Sequence, residues 1–326
     1  MTNLRSDGAP SEPPPSTSLS TRRGALIAIG GAEDKVGARA VLRQVVHHAG
    51  GRGAKIALFP TGSSIPAELA TTYDAIFREL GAEVSVVRIV TRADGDDPET
   101  IAQLEGVTGV FFTGGDQGRI VTMLGGTELA RTIRRAHRSG VVVAGTSAGA
   151  SVICDHMIAQ GKKGYAPRRD LVMLAPGLGL TRRLVIDQHF AQRHRIGRLF
   201  SAVALNPFLI GVGIDEDTAI VVTADKKLSV IGRGTVTVID GSKMAHSDIH
   251  EVSRSSPASV LGLSVHVLTQ GCGFDVETRS PILPARLKAE AEAAHKPPSE
   301  PERAGHRPLV ALEENEDPEP PEEEST

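Results

Sequence analysis

The chain of 326 residues has no tryptophan, two tyrosines and eight phenylalanines. So few aromatic faces argue against a platform on which sugars or bases stack. Its two cysteines, Cys154 and Cys272, cannot build a disulfide framework, which fits a reducing compartment. No apolar run approaches the ~18–20 residues of a membrane span, and Met1–Ser20 has no apolar stretch of the signal-peptide kind. A cytoplasmic protein with no membrane partner is therefore expected. With 36 Lys+Arg against 39 Asp+Glu the formal charge is −3, which argues against an obligate nucleic-acid binder. There is no H-E-x-x-H and no paired cysteine motif, so no metal is expected. Gly30-Gly31-Ala32-Glu33-Asp34-Lys35 lacks both the Gly-Lys-Ser/Thr end of a phosphate loop and the G-x-G-x-x-G of a dinucleotide fold. Its acids would repel phosphate, and no cofactor is expected.

Both ends read as tails. Residues 1–22 are rich in Ser, Pro and Thr and carry too little apolar surface to offset their ordering entropy. Residues 291–326 are Pro- and Glu-rich. The last sixteen hold eight acids and no base, and removing them moves the formal charge from −3 to +5. Such a tail is either simply solvated or able to fold over a basic site and compete with an anionic substrate.

Between the tails, residues 23–290 read as one α/β domain. Short aliphatic runs alternate with helical patterns: Ala25–Ile29, Lys55–Phe59, Glu83–Ile89, Gly109–Phe112 and Val141–Ala144 as strands, with helices at about 66–80, 99–104, 119–137 and 148–158. Fully apolar strands separated by helices predict a mostly parallel central sheet in a three-layer α/β/α arrangement. Beyond Gly211, the runs Ala219–Thr223, Lys227–Ile231 and Thr235–Ile239 predict an antiparallel meander on the sheet edge. In parallel sheets, chemistry gathers at the carboxyl ends of the strands. The polar Gly-rich motifs fall there.

Gly145-Thr146-Ser147-Ala148-Gly149 is a G-x-S-x-G between an aliphatic run and a helical pattern. A serine on a sharp strand-to-helix turn needs small neighbours, because the flanking backbones crowd it. The Ala148 N–H is a natural oxyanion donor, and Gly114-Gly115 can supply a second from the next strand end. The plain alternative is a Gly/Ala-rich helix entry that merely permits close packing. The serine needs a base. His47, His48 and His137 read as exposed helix ends. His189 follows the apolar run Leu184-Val185-Ile186 and can face the same crest; it could equally be a hydrogen-bonded strand-end histidine, and His194 is its rival. Arg193, Arg195 and Arg198 offer forks for carboxylates, and Asp116, Asp187, Asp215, Glu216 and Asp217 could hold a guanidinium. A site with both signs suits a zwitterionic or Asp/Arg-rich peptide.

Taken with Phe112-Thr113-Gly114-Gly115-Asp116-Gln117, Ala175-Pro176-Gly177-Leu178-Gly179-Leu180, Asp187-Gln188-His189-Phe190 and Gly213-Ile214-Asp215-Glu216-Asp217, these motifs resemble the cyanophycinase family, serine peptidases related to the aspartyl dipeptidase peptidase E. The resemblance runs from about residue 23 to at least 240. It implies a glutamine-amidotransferase-like fold, a homodimer, no metal, and exopeptidase release of β-Asp-Arg dipeptides from cyanophycin, a poly-aspartate carrying arginine on its side chains. It also implies Ser147 as nucleophile and His189 as base, with Gln117, Asp187, Gln188, Arg193, Arg195, Arg198 and Glu216 lining the substrate site. One departure matters. The family's acidic triad member belongs to the loop before a Pro-Arg, and here residues 160–168 contain no carboxylate. Asp170, Asp187 or a backbone carbonyl could orient His189 instead. The protein could also be a Ser–His dyad, a plain Asp-X dipeptidase, or a noncatalytic binder of Asp/Arg-rich peptides.

Overall fold

The computed structural model describes residues 23–284 together with Leu287 and Lys288. The expected tails, 1–22 and 291–326, lie outside the described residues, as do 285, 286, 289 and 290 of the expected domain. In chain order the elements are β1 (Leu26–Ile29), α1 (Ala40–His48), β2 (Lys55–Phe59), α2 (Pro66–Glu79), β3 (Glu83–Val86), α3 (Pro98–Ala102), β4 (Gly109–Phe112), α4 (Gln117–Leu124), α5 (Glu128–Arg138), β5 (Val142–Thr146) and α6 (Ala148–Ser151). They continue with β6 (His156–Gly161), β7 (Val172–Pro176), β8 (Leu184–Gln188), α7 (Ile196–Leu205), β9 (Ile210–Ile214), β10 (Thr218–Val222), β11 (Lys227–Gly232) and β12 (Val236–Asp240).

The main sheet is mixed and has nine strands. Strands β1, β5, β4, β2 and β3 lie side by side and parallel. Strand β10 joins β1 antiparallel, and β11, Gly273–Asp275 and Ser280–Ile282 extend that side. Alternation along the parallel strands explains why both faces are apolar. Ile27, Ile29, Phe111 and Ala144 pack with α1 and α2, through Leu42, Val45, Tyr73 and Phe77. Ala28, Val110, Phe112 and Val143 pack on the other side with Ile120 and Leu124 of α4 and Leu129 and Ile133 of α5.

Three elements depart from the sequence reading. The helix expected over 119–137 is two helices, because Gly125-Gly126 is a poor helix interior and Thr127 caps α5 through the Ala130 N–H. The helix expected over 148–158 ends at Ser151. The carbonyls of Val152, Ile153 and Cys154 accept from Leu178, Leu180 and Gly179 instead of continuing the ladder. Strand β12 leaves the edge meander for a second sheet of four strands, in which β8 and β9 are parallel and β12 is flanked by Ser264–Leu268. There the apolar face of Val236 and Val238 meets Ile186 and Val212.

Register sets the functional crest. Ile29 of β1 lies beside Thr146 of β5, and Phe112 of β4 beside Gly145. Gly30-Gly31, Thr113-Gly114 and Ser147 therefore leave the sheet at one level. The His189 N–H donates to Gly30 O at 2.8 Å, tying the end of β8 in the second sheet to that crest. Among the described residues, no helix is long and apolar enough to cross a membrane.

Candidate active site

Ser147 sits between β5 and the single turn of α6, with φ 53° and ψ −114°. A non-glycine residue there stores ~1–3 kcal/mol of strain. The flanking glycines permit the turn: a Cβ on Gly145 would lie 2.2 Å from Gly149 O, and one on Gly149 would lie 2.3 Å from Phe112 O. Beneath the turn lies a buried polar bracket. Glu33 accepts from Thr146 Oγ1 at 2.7 Å and from the Tyr73 hydroxyl. Burial and the neighbouring carboxylate push the Tyr73 phenol well up, so it stays a donor. The bracket holds the residue just before Ser147 against α2.

Ser147 Oγ is 2.9 Å from His189 Nε2, and His189 Nδ1 is 2.6 Å from Glu216 Oε1. The carboxylate makes Nδ1 the protonated nitrogen and turns the Nε2 lone pair toward the hydroxyl. Burial lowers the His189 pKa below its ordinary 6.5, while the Glu216 hydrogen bond opposes that fall. The imidazole is thus a free base at neutral pH. Glu216 comes from the β9–β10 turn. Its N–H donates to Gln192 Oε1 at 3.1 Å, and the next residue, Asp217, bonds Gly31 O through its N–H and accepts from the Asp34 N–H at 2.9 Å. The β1 crest and the turn carrying Glu216 are one hydrogen-bonded unit.

Gly31, at φ 97°, lies against the imidazole: a Cβ there would be 2.4 Å from both Cε1 and Nε2 of His189. Gly31→Ala must therefore push the ring off Ser147. A displacement of ~1 Å is enough to cost about 10²-fold in kcat. Steady-state kinetics should find that loss, and an unchanged kcat would mean that the ring does not need this seat.

Residues 26–230 match the model of peptidase family S51. The chain belongs to this family. It is 43% identical over 263 residues to a protein named cyanophycinase from Trichormus variabilis, spanning 80% of this chain and 88% of that protein. A cyanophycinase from Geminocystis herdmanii is 40% identical over 262 residues, 80% of this chain and 96% of that protein. A solved peptidase from an acI-B1 Actinobacterium is similar in fold, with a TM-score of 0.54 at 22% identity, covering 77% of this chain and 98% of that one.

In this S51 peptidase the remaining expected residues divide into free and committed. Arg193 is exposed beside His189, where its charge helps to lower the imidazole pKa. The N–H groups of Gly115 and Ala148 donate to no protein acceptor among the described residues. Gln117 spends its amide on the Ile158 and Ala159 carbonyls, 3.2 and 2.8 Å away. Asp187, Gln188, Arg195 and Arg198 differ most from expectation. Asp187 is fully buried and grips Arg198 with both oxygens and Arg195 at 3.3 Å. Arg195 also donates to Gln188 Oε1 at 2.9 Å, and burial lowers its pKa to about 10. A buried carboxylate needs paired cations, so these charges hold the end of β8 under His189. Arg198→Met should cost about 3–5 kcal/mol of stability by leaving buried Asp187 with only its longer contact to Arg195, and pairing it with Asp187→Leu should recover part of the loss. Denaturant unfolding of the single and double variants checks this.

The acids considered for orienting His189 are also spoken for. Asp170 holds Lys162 and Arg168, each at 3.1 Å, and Asp187 is in the buried cluster. Glu216, expected to meet a guanidinium, is on the imidazole instead. The signal was present in the sequence. Strands β8 and β9 are successive and parallel, so an acid just past β9 lands beside a histidine just past β8. Glu33 and Tyr73 carried no signal, since nothing local ties a loop acid to a helix 40 residues away.

Proposed function

We propose that this S51 peptidase is a cyanophycin hydrolase acting as an exopeptidase through a Ser147–His189–Glu216 relay. The observation that carries the reading is the continuous hydrogen-bonded chain Ser147 Oγ–His189–Glu216, at 2.9 and 2.6 Å. His189 Nε2 takes the hydroxyl proton as Ser147 Oγ bonds to the scissile carbonyl carbon. The Gly115 and Ala148 N–H groups stabilise the resulting oxyanion. The imidazolium, held by Glu216, returns the proton to the leaving amine as the C–N bond breaks. Water, deprotonated by the same imidazole, then cleaves the acyl-serine. Cyanophycin is favoured by the names of relatives at 40–43% identity over 80% of the chain. The exposed Arg193 and the basic loop of Lys162 and Lys163 suit main-chain carboxylates of such a polymer.

The same reading includes a three-layer, glutamine-amidotransferase-like arrangement, supported by the separate apolar clusters on the two faces of the main sheet. It includes a cytoplasmic homodimer as well. The open edge strand Ser264–Leu268, with Val265 and Val267 exposed, is a candidate seam. Incubation with purified cyanophycin and mass analysis of the products tests the activity. β-Asp-Arg dipeptide is the expected product. Intact polymer together with cleavage of plain Asp-X dipeptides would make the chain a dipeptidase of the peptidase E kind.

A further inference from the structure

The end of the main sheet away from Ser147 holds a cavity of about 430 Å³. Gly24 and Leu26 at the start of β1 line it, as does Leu184 at the start of β8, whereas Ser147 follows the last residue of β5. Strands of four or five residues put ~13–17 Å between these two levels. Arg23, Arg134, Arg138, Arg182 and Arg183 surround the cavity, and Asp155 is the only acid among the described residues that line it. Lys226, also on the wall, is neutralised by Glu277. None of the five arginines has a carboxylate partner among the described residues. Arg134 donates to Leu178 O at 3.1 Å and Arg183 to Val276 O at 3.5 Å, and the others carry no such bond. Burial and then the charges of Arg138, Arg131 and Arg135 lower the Arg134 pKa, against the opposing charge of Asp155.

His137 stands on the same wall. The sequence suggested an exposed helix end, but the residue is 1% exposed. Its Nδ1 lies 3.2 Å from Val141 O and so carries the proton, leaving Nε2 a buried acceptor with no partner among the described residues. Burial, reinforced by Arg23 and Arg138, lowers its pKa to about 4, so this acceptor persists at neutral pH. The concave surface therefore asks for two things at once. Unneutralised guanidinium forks ask for carboxylates. The carboxylate of Asp155, half-exposed on the same wall, asks for an ammonium.

We propose that this cavity is a second ligand site, remote from Ser147, that takes a small amino dicarboxylate of the aspartate type. It stands on the cavity's own chemistry and does not depend on what the active site hydrolyses.

Calorimetric titration of the full chain with L-aspartate, succinate and inorganic phosphate tests the assignment. L-Aspartate should bind saturably with Kd below ~1 mM. Succinate, which lacks the ammonium, should bind at least about fivefold more weakly, and phosphate more weakly still. The exposed pair Arg138→Glu/Arg182→Glu should weaken aspartate by about tenfold or more, with hydrolysis in its absence unchanged within about twofold. The milder Arg182→Gln should already weaken it by about threefold. Asp155→Asn should bring aspartate down to the affinity of succinate. No saturable binding, or wild-type affinity in the arginine variants, would overturn the site. Succinate or phosphate binding as tightly as aspartate would overturn the ligand class.

Discussion

Ser147→Ala is expected to reduce kcat by about 10⁴–10⁶-fold, as loss of the nucleophile does in other serine hydrolases. The fold should not suffer. Among the described residues Oγ has no hydrogen-bond partner but His189 Nε2, and the methyl group of alanine fits the same turn. Residual turnover would come from the Gly115 and Ala148 N–H donors acting on a water-attacked carbonyl. The positive φ at this residue supplies an internal control. Ser147→Gly should be equally inactive, yet more stable than the alanine variant by about 1–3 kcal/mol, because glycine relieves the strain. A thermal melt separates the two variants, and turnover within tenfold of wild type in either would remove Ser147 from the chemistry.

Glu216→Gln should follow with a loss of about 10³–10⁴ in kcat. An amide can present its N–H₂ to Nδ1, which turns the imidazole to the tautomer with a proton on Nε2 and leaves no base facing Ser147. The pH profile carries an independent signature. His189 must be neutral to accept the proton, and burial already lowers its pKa below 6.5, so the acid limb of kcat/KM should fall below that value in the wild type. Glu216 is the influence that raises it. Its removal should move the limb to still lower pH while the plateau drops. A limb that moves upward, or a plateau that stays, would mean that another group orients the imidazole.

Much of the scaffold was readable from the chain. The parallel strands announce themselves as short aliphatic runs, each closed by small polar residues where the sheet ends. Ser147 was legible for a steric reason, since only Gly145 and Gly149 let β5, α6 and β4 approach so closely. His189 was legible because an apolar strand delivers it to the crest. What stayed hidden depends on pairings between distant segments. Asp187 and Arg198 look like a site with two signs of charge until β8 and α7 are packed, at which point the buried carboxylate consumes the guanidinium. The helix expected beyond Ser151 fails because residues 178–181 return to take its carbonyls. Strand β12 has the same alternation as its neighbours, and only the second sheet explains why it leaves them.

The relay itself is most directly tested by intact-mass analysis after treatment with a serine-directed phosphonyl fluoride. A single adduct is expected, mapped by peptide sequencing to Ser147, forming with loss of hydrolysis and slowed in step with kcat by Glu216→Gln. Complete inactivation with the adduct elsewhere, or a fully active enzyme that stays unlabelled, would contradict it.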